Sequence, residues 1–97
     1  MIHESQFAGA ALADALEVLG FVEVAEGKPA RAATLLGAAE TQWCASGGSR
    51  YPPDQPDYER TVTRIRAALD ADTYAMAWRE GQTMSGEQAM EYSRSSC

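Results

Sequence analysis

The side chains that could act as nucleophiles, bases or metal ligands are few and scattered along this chain of 97 residues. His3 is the only histidine, so neither a second imidazole nor a neighbouring cysteine is present to share a metal with it. Ser46, Ser49 and Ser85 likewise lack the histidine partner that a nucleophilic serine needs. We therefore expect no catalytic residue, no metal site and no cofactor, and we expect the protein not to be an enzyme.

Most of the 14 carboxylates fall where solvent-exposed helix faces and helix starts are predicted. Asp70 and Asp72 bracket one such start, where capping explains them better than metal binding does.

Glu23 is different, because a helical wheel places it in the middle of a stripe formed by Leu12, Leu16 and Leu19. An unpaired carboxylate is costly to bury. Either Arg31 or another basic residue reaches across the hairpin to pair with Glu23, or a groove opens to water there and Glu23 faces a ligand or partner, unless the helical wheel misplaces Glu23. The second alternative would make the chain a small-molecule sensor.

Charge and composition narrow the possible partners and location. Lys plus Arg total 8 and Asp plus Glu total 14, so the net charge is 8 − 14 = −6, which argues against nucleic-acid binding by this segment. The chain contains neither a membrane-length apolar run nor a signal peptide. We expect a cytoplasmic protein in which Cys44 and Cys97 are reduced thiols.

The elements that must position these residues are all predicted to be helices within one domain, residues 1–97. Helix-favouring residues fill 6–26 without a proline. Gly27 can then take a left-handed turn, and Pro29 suits the first turn of a second helix that runs to about residue 46. The apolar face of this second helix is Ala32, Leu35, Leu36, Ala39 and Trp43, and its other side is Arg31, Thr34, Ala38 and Thr41.

Residues 47–55 are predicted to form a loop, and residues 56–92 three further helices. The third helix starts near Pro56 with Asp54 or Gln55 as its cap, and the fourth ends at Gly81. Ser85 and Gln88 form a capping box that opens the fifth. Residues 93–97 should fray. The fold class predicted is all-α, with about five helices.

The spacing Leu16-x2-Leu19-Gly20, then Gly27, then Ala32-x3-Leu36-x2-Ala39 matches the tetratricopeptide pattern over about one repeat. Gly20 and Ala32 would be the small residues where the two helices cross. The pattern departs from the usual one, because Leu16 replaces a tryptophan, Glu23 replaces an aromatic residue and Cys44 stands near the usual closing proline. An unrelated helical hairpin with this spacing is the alternative.

The run 27–40, Gly-Lys-Pro-Ala-Arg-Ala-Ala-Thr-Leu-Leu-Gly-Ala-Ala-Glu, resembles the last tetratricopeptide hairpin of large bacterial signal-transduction ATPases, including LuxR-type transcriptional regulators. The later residues 58–60, 77–81, 84–85, 87 and 89 are similar to the closing segment of those chains. The resemblance implies a helical scaffold or sensor region that mediates protein contacts. The ATPase and DNA-binding modules of those regulators are not implied here, because the chain contains neither a phosphate-binding loop nor a basic helix-turn-helix motif.

The first helix is apolar on nearly every side, which is typical of a helix covered on two faces. In a stack of repeats, the preceding repeat would cover the second face. We therefore predict that Val18, Phe21 and Val24 form an interaction surface, covered by a second copy of the chain, by the segment before Gly9 or by a partner. A homodimer or another protein partner is thus expected.

Four aromatic residues recur on predicted inner faces: Trp43, Tyr58, Tyr74 and Trp78. They would either belong to the core or surround a small-molecule pocket between the hairpin and the last helices.

Overall fold

The computed structural model describes residues 2–47 and 55–94, with the side chains of 11–45, 47 and 55–94. No strand occurs among the described residues. They contain five helices: α1 (Ile2–Ala25), α2 (Pro29–Ser46), α3 (Gln55–Ala68), α4 (Ala71–Gln82) and α5 (Gly86–Arg94). The predicted all-α fold is confirmed. The proposed cap Asp54 and most of the predicted loop lie outside the described residues.

The turn between α1 and α2 follows local sequence signals. Gly27 has φ of 79°, the left-handed conformation that glycine adopts readily. The Lys28 amide donates to the Glu23 carbonyl at 2.8 Å and the Gly27 amide to the Val24 carbonyl at 3.0 Å, which together form a Schellman motif. Pro29 then occupies the first turn of α2, so the chain reverses as predicted.

The α1–α2 hairpin is tight where Gly20 lies. A Cβ atom on Gly20 would be 2.8 Å from Leu36 Cδ2 and 3.6 Å from the Ala32 carbonyl oxygen, so the helices cross at the small residues that the sequence indicates. Leu16 is fully buried, and Leu12 and Leu19 pack around it.

α2 is the centre of the fold, because every residue from 32 to 39 is buried. The prediction that Thr34 and Ala38 lie away from the buried side of α2 is therefore wrong, because α4 covers both residues. A Cβ atom on Gly37 would collide with the Trp78 carbonyl oxygen, and one on Gly81 with the Thr34 carbonyl oxygen. Two glycines thus let the backbones of α2 and α4 touch.

The prediction that Gly81 ends α4 is wrong. Gly81 is buried inside the helix, and the C-cap is Thr83. The lack of a side chain at Gly81 serves helix packing rather than helix termination. At the other end of α4, Asp70 occupies the N-cap position without a side-chain hydrogen bond, and Asp72 lies in the first turn, where the helix dipole favours a negative charge.

The remaining helices enclose the hairpin at two places. Ile65 of α3 joins Val24, Ala32, Ala33 and Leu36 in one buried cluster. Ala89 of α5 joins a second cluster around Leu16.

The start of α5 carries the predicted capping box. The Ser85 amide donates to Gln88 Oε1 at 2.8 Å, and the Gln88 amide donates to Ser85 Oγ at 3.1 Å. Ser93 and Arg94 are helical, so the predicted fraying is wrong for these two residues, and residues 95–97 lie outside the described residues.

Candidate functional site

Glu23 is paired across the hairpin. Arg31 Nε donates to Glu23 Oε1 at 3.3 Å, and the two side chains are only 18% (Arg31) and 13% (Glu23) exposed. The first of the two sequence-based alternatives is therefore confirmed. Because the carboxylate already has a cationic partner, the groove at Glu23 offers little to an incoming ligand.

Arg31 also holds α5. Its Nη2 donates to the Tyr92 carbonyl oxygen at 3.0 Å, and its guanidinium lies 4.6 Å from the centroid of the Tyr92 ring. The guanidinium therefore links α1, α2 and α5, which gives Arg31 a structural role.

Glu17, which no sequence pattern singles out, is the most deeply buried acidic residue among those described, at 2% exposure. Trp43 Nε1 donates to Glu17 Oε2 at 2.8 Å. A helical wheel centred on the leucine stripe could not find this pair, because Glu17 lies beside the stripe. The sequence signal that could have found it is the tryptophan, whose indole N–H requires an acceptor when buried.

The three residues of the predicted interaction surface differ in how far the fold buries them. Val18 is 50% exposed, whereas Val24 is 9% exposed and belongs to the core with Ile65. Phe21 is half-buried and packs against the same cluster. The prediction that all three residues lie on an uncovered face is therefore wrong for Val24 and only partly right for Phe21, because the chain's own core covers that side of α1.

A different line of residues faces outward on α1. Val22 is 44% exposed, and it lies four residues after Val18. Two alanines lie three residues from a valine, and a third lies four residues before the first of these. Together the five residues form what we call the outer stripe: Ala11, Ala15, Val18, Val22 and Ala25. Four of the five are exposed and Ala15 is half-buried.

The aromatic residues act mainly in packing. Tyr58, Tyr74 and Trp78 pack against the buried cluster around Leu36, and the Tyr74 and Trp78 rings lie 5.6 Å apart. Burial raises the pKa of the Tyr74 hydroxyl, as the Glu40 carboxylate also does, while the nearby Arg66 lowers it. Tyr74 and Trp78 also border an open depression with Ala75, Arg79 and Gln82, which is too open to enclose a small molecule.

Among the side chains that the structure describes (residues 11–45, 47 and 55–94), no three of the metal-ligating types lie close enough to hold an ion. Cys44 carries an exposed free thiol, and Cys97 and the side chain of His3 lie outside the described part. None of the described helices is long and apolar enough to cross a membrane.

The geometry thus defines an all-α protein built around a central helix, with an exposed apolar stripe on α1. Comparison with protein-family models, curated proteins and solved structures finds no match for this chain. Its function has to be inferred from its own surfaces.

Proposed function

We propose that this chain is a non-catalytic protein-interaction module that self-associates through the outer stripe of α1. The observation that supports this proposal is the exposure of Val18 and Val22, at 50% and 44%, side by side on one helix. Isolated exposed valines are common on monomers, but a continuous apolar line along a helix is typical of a contact surface.

The spacing of the outer stripe suits helix pairing. Its members follow one another at intervals of four, three, four and three residues, which is the spacing of a coiled-coil seam. Because the side chains are alanine and valine, a second helix could approach closely. The contact would be small, since alanines bury little area, so we expect association that depends on protein concentration.

Light scattering over a concentration series tests the proposal. The wild-type chain should pass from monomer to dimer as its concentration rises, and Val18→Asp should remain monomeric because it places a charge in the seam. Phe21→Asp is a poorer choice, since Phe21 packs against the core and its loss would impair folding.

Met76→Asp is the matched control, because Met76 is 70% exposed and lies on α4. This variant should dimerise like the wild type. A wild-type chain that stays monomeric at the highest concentration would refute the proposal, as would equal effects of the two substitutions.

On the sequence resemblance alone, we propose further that this module belongs to the helical C-terminal region of a cytoplasmic bacterial regulator of the LuxR type. There it would bring two copies of the regulator together. Fusion to a reporter DNA-binding domain that represses only as a dimer tests this role: the wild-type chain should restore repression and Val18→Asp should not.

A further inference from the structure

A second surface lies on another side of the molecule, between α4 and α5. Two depressions of about 310 Å³ and about 550 Å³ share Glu80 and Tyr92 among their lining residues, so they lie side by side. We call the two depressions together the acidic groove. It is separate from the outer stripe, and the inference below goes beyond the proposed self-association.

The acidic groove has an apolar lining. Ala77 and Tyr92 are half-buried within it, Met84 is half-buried toward one end, and Met76 is 70% exposed at the other end. Methionine side chains are flexible and polarizable, and they adapt to apolar side chains of different shapes. An exposed methionine beside a tyrosine therefore offers a contact for an apolar residue of a partner.

The charged side chains that line the acidic groove are both glutamates. Glu80 and Glu91 are exposed in its walls, and no lysine or arginine lines either depression. The nearby Arg31 lies against the Tyr92 ring, but its charge is balanced by Glu23. Arg94 approaches Glu91 only at 3.8 Å on the open surface, where ion pairs are weak. The groove therefore favours a cationic partner.

The shape of the groove favours a helix over a small molecule. Both depressions are open, whereas a small-molecule site encloses most of its ligand. Residues 73, 76, 77 and 80 on α4 follow helical spacing and line the smaller depression together with Tyr92 of α5 and residues 30 and 34 of α2. Residues 88, 91 and 92 on α5 line the larger depression together with Glu80 and Met84. Adjacent open depressions between two helices, with apolar residues among their lining, suit an amphipathic helix.

We propose that the acidic groove binds an amphipathic, basic helix of a partner protein. The apolar face of that helix would contact Met76, Ala77 and Tyr92, and its lysines or arginines would lie beside Glu80 and Glu91. The opposite charges would steer the partner to the groove and orient it there.

A designed peptide is the probe for this proposal. It carries leucines at helical spacing flanked by lysines, and a matched peptide replaces each lysine with glutamate. The full chain is labelled at its methionine methyl groups, which are assigned by Met→Leu substitution. Addition of the basic peptide should shift the NMR signals of Met76 and Met84, whereas the signal of Met90, which lines a different depression, should stay in place. The glutamate peptide should shift none of them.

Variants then test the charges. Glu80→Gln and Glu91→Gln should each weaken binding of the basic peptide about threefold, a modest effect because these carboxylates are exposed. Glu87→Gln is the control, since it removes the same charge from α5 but lines a different depression. Binding should also weaken as salt is added.

Three outcomes would overturn the proposal. The basic and acidic peptides could bind equally well, or the basic peptide could shift Met90 rather than Met76 and Met84. Alternatively, the Met76 and Met84 signals could move with protein concentration in the absence of peptide, which would make a second copy the occupant. Val18→Asp separates this question from self-association, because that variant should still bind the basic peptide.

Discussion

The guanidinium of Arg31 caps the last turn of α5 by donating to the Tyr92 carbonyl oxygen at 3.0 Å while it lies against the Tyr92 ring. The last carbonyl groups of a helix have no partner within the helix, so a cation from another helix stabilises them. A nine-residue helix is too short to be stable by itself in water. Arg31 therefore holds α5 in place together with the packing of Ala89 in the cluster around Leu16.

Replacing Arg31 should destabilise the fold strongly. Arg31→Met leaves Glu23 without its cation and the Tyr92 carbonyl without its donor, so we expect the free energy of unfolding to fall by about 2–4 kcal/mol. Arg31→Lys should fall between the wild type and Arg31→Met, because a single ammonium cannot reproduce the planar fork of donors. Urea unfolding measures both. Arg64→Met is the control at an exposed site on α3, and it should change the free energy of unfolding by less than about 0.5 kcal/mol. If Arg31→Met lost no more stability than Arg64→Met, the proposed structural role of Arg31 would be wrong.

The two helix crossings should respond differently to an added methyl group. Gly81→Ala would place Cβ against the backbone of Thr34, which cannot move aside, so we expect a loss of about 3 kcal/mol or more. Gly20→Ala meets the end of the Leu36 side chain, which can shift, and alanine favours the helix by about 1 kcal/mol. Thermal unfolding should therefore rank Gly81→Ala well below Gly20→Ala, and the reverse order would contradict the packing of α2 on α4.

The hydrogen bond between Trp43 and Glu17 should contribute to stability. Trp43→Phe removes the indole donor from a buried carboxylate, and we expect a loss of about 1–3 kcal/mol. Some of this loss comes from the smaller ring, so the double-mutant cycle with Glu17→Gln isolates the hydrogen bond. A coupling energy near zero by urea unfolding would show that the bond contributes little.

Tyr74 should make stability depend on pH at the alkaline end. Burial raises the pKa of its hydroxyl above 10.0 in the folded protein, so the unfolded chain loses this proton first. The stability that Tyr74 contributes is therefore fully present below pH 10 and is lost as pH rises through the folded pKa. Tyr74→Phe should remove this part of the slope, and Arg66→Gln should raise the Tyr74 pKa further, as tyrosinate absorbance measures. The Arg66 guanidinium lies 5.5 Å from the centroid of the Tyr74 ring. A lower Tyr74 pKa in Arg66→Gln would contradict the electrostatic effect of this guanidinium on the hydroxyl.

Features fixed by neighbouring residues could be predicted from the sequence. The left-handed turn at Gly27 and the capping box at Ser85 and Gln88 each depend on residues within one helical turn. The Glu23–Arg31 pair could also be predicted, because a tight turn brings the two facing helices together.

Features that depend on distant helices could not be predicted from the sequence. Hydrophobic periodicity does not show that α4 covers Thr34 and Ala38, because their small side chains do not mark an apolar face. Gly81 looked like a helix terminator because its real partner, the Thr34 carbonyl, lies far away along the chain. The prediction that Val24 is uncovered is wrong because the helical pattern of α1 contains no information about where Ile65 of α3 lies.

The burial of residues 32–39 of α2 also determines how the molecule opens. The backbone amides of residues 32–39 have no path to solvent unless α1 or α4 separates from α2. Their hydrogens should exchange with deuterium only through global unfolding, whereas the amides of the peripheral α5 should exchange through local opening. The helix with the smallest side chains would thus be the slowest part of the protein to exchange.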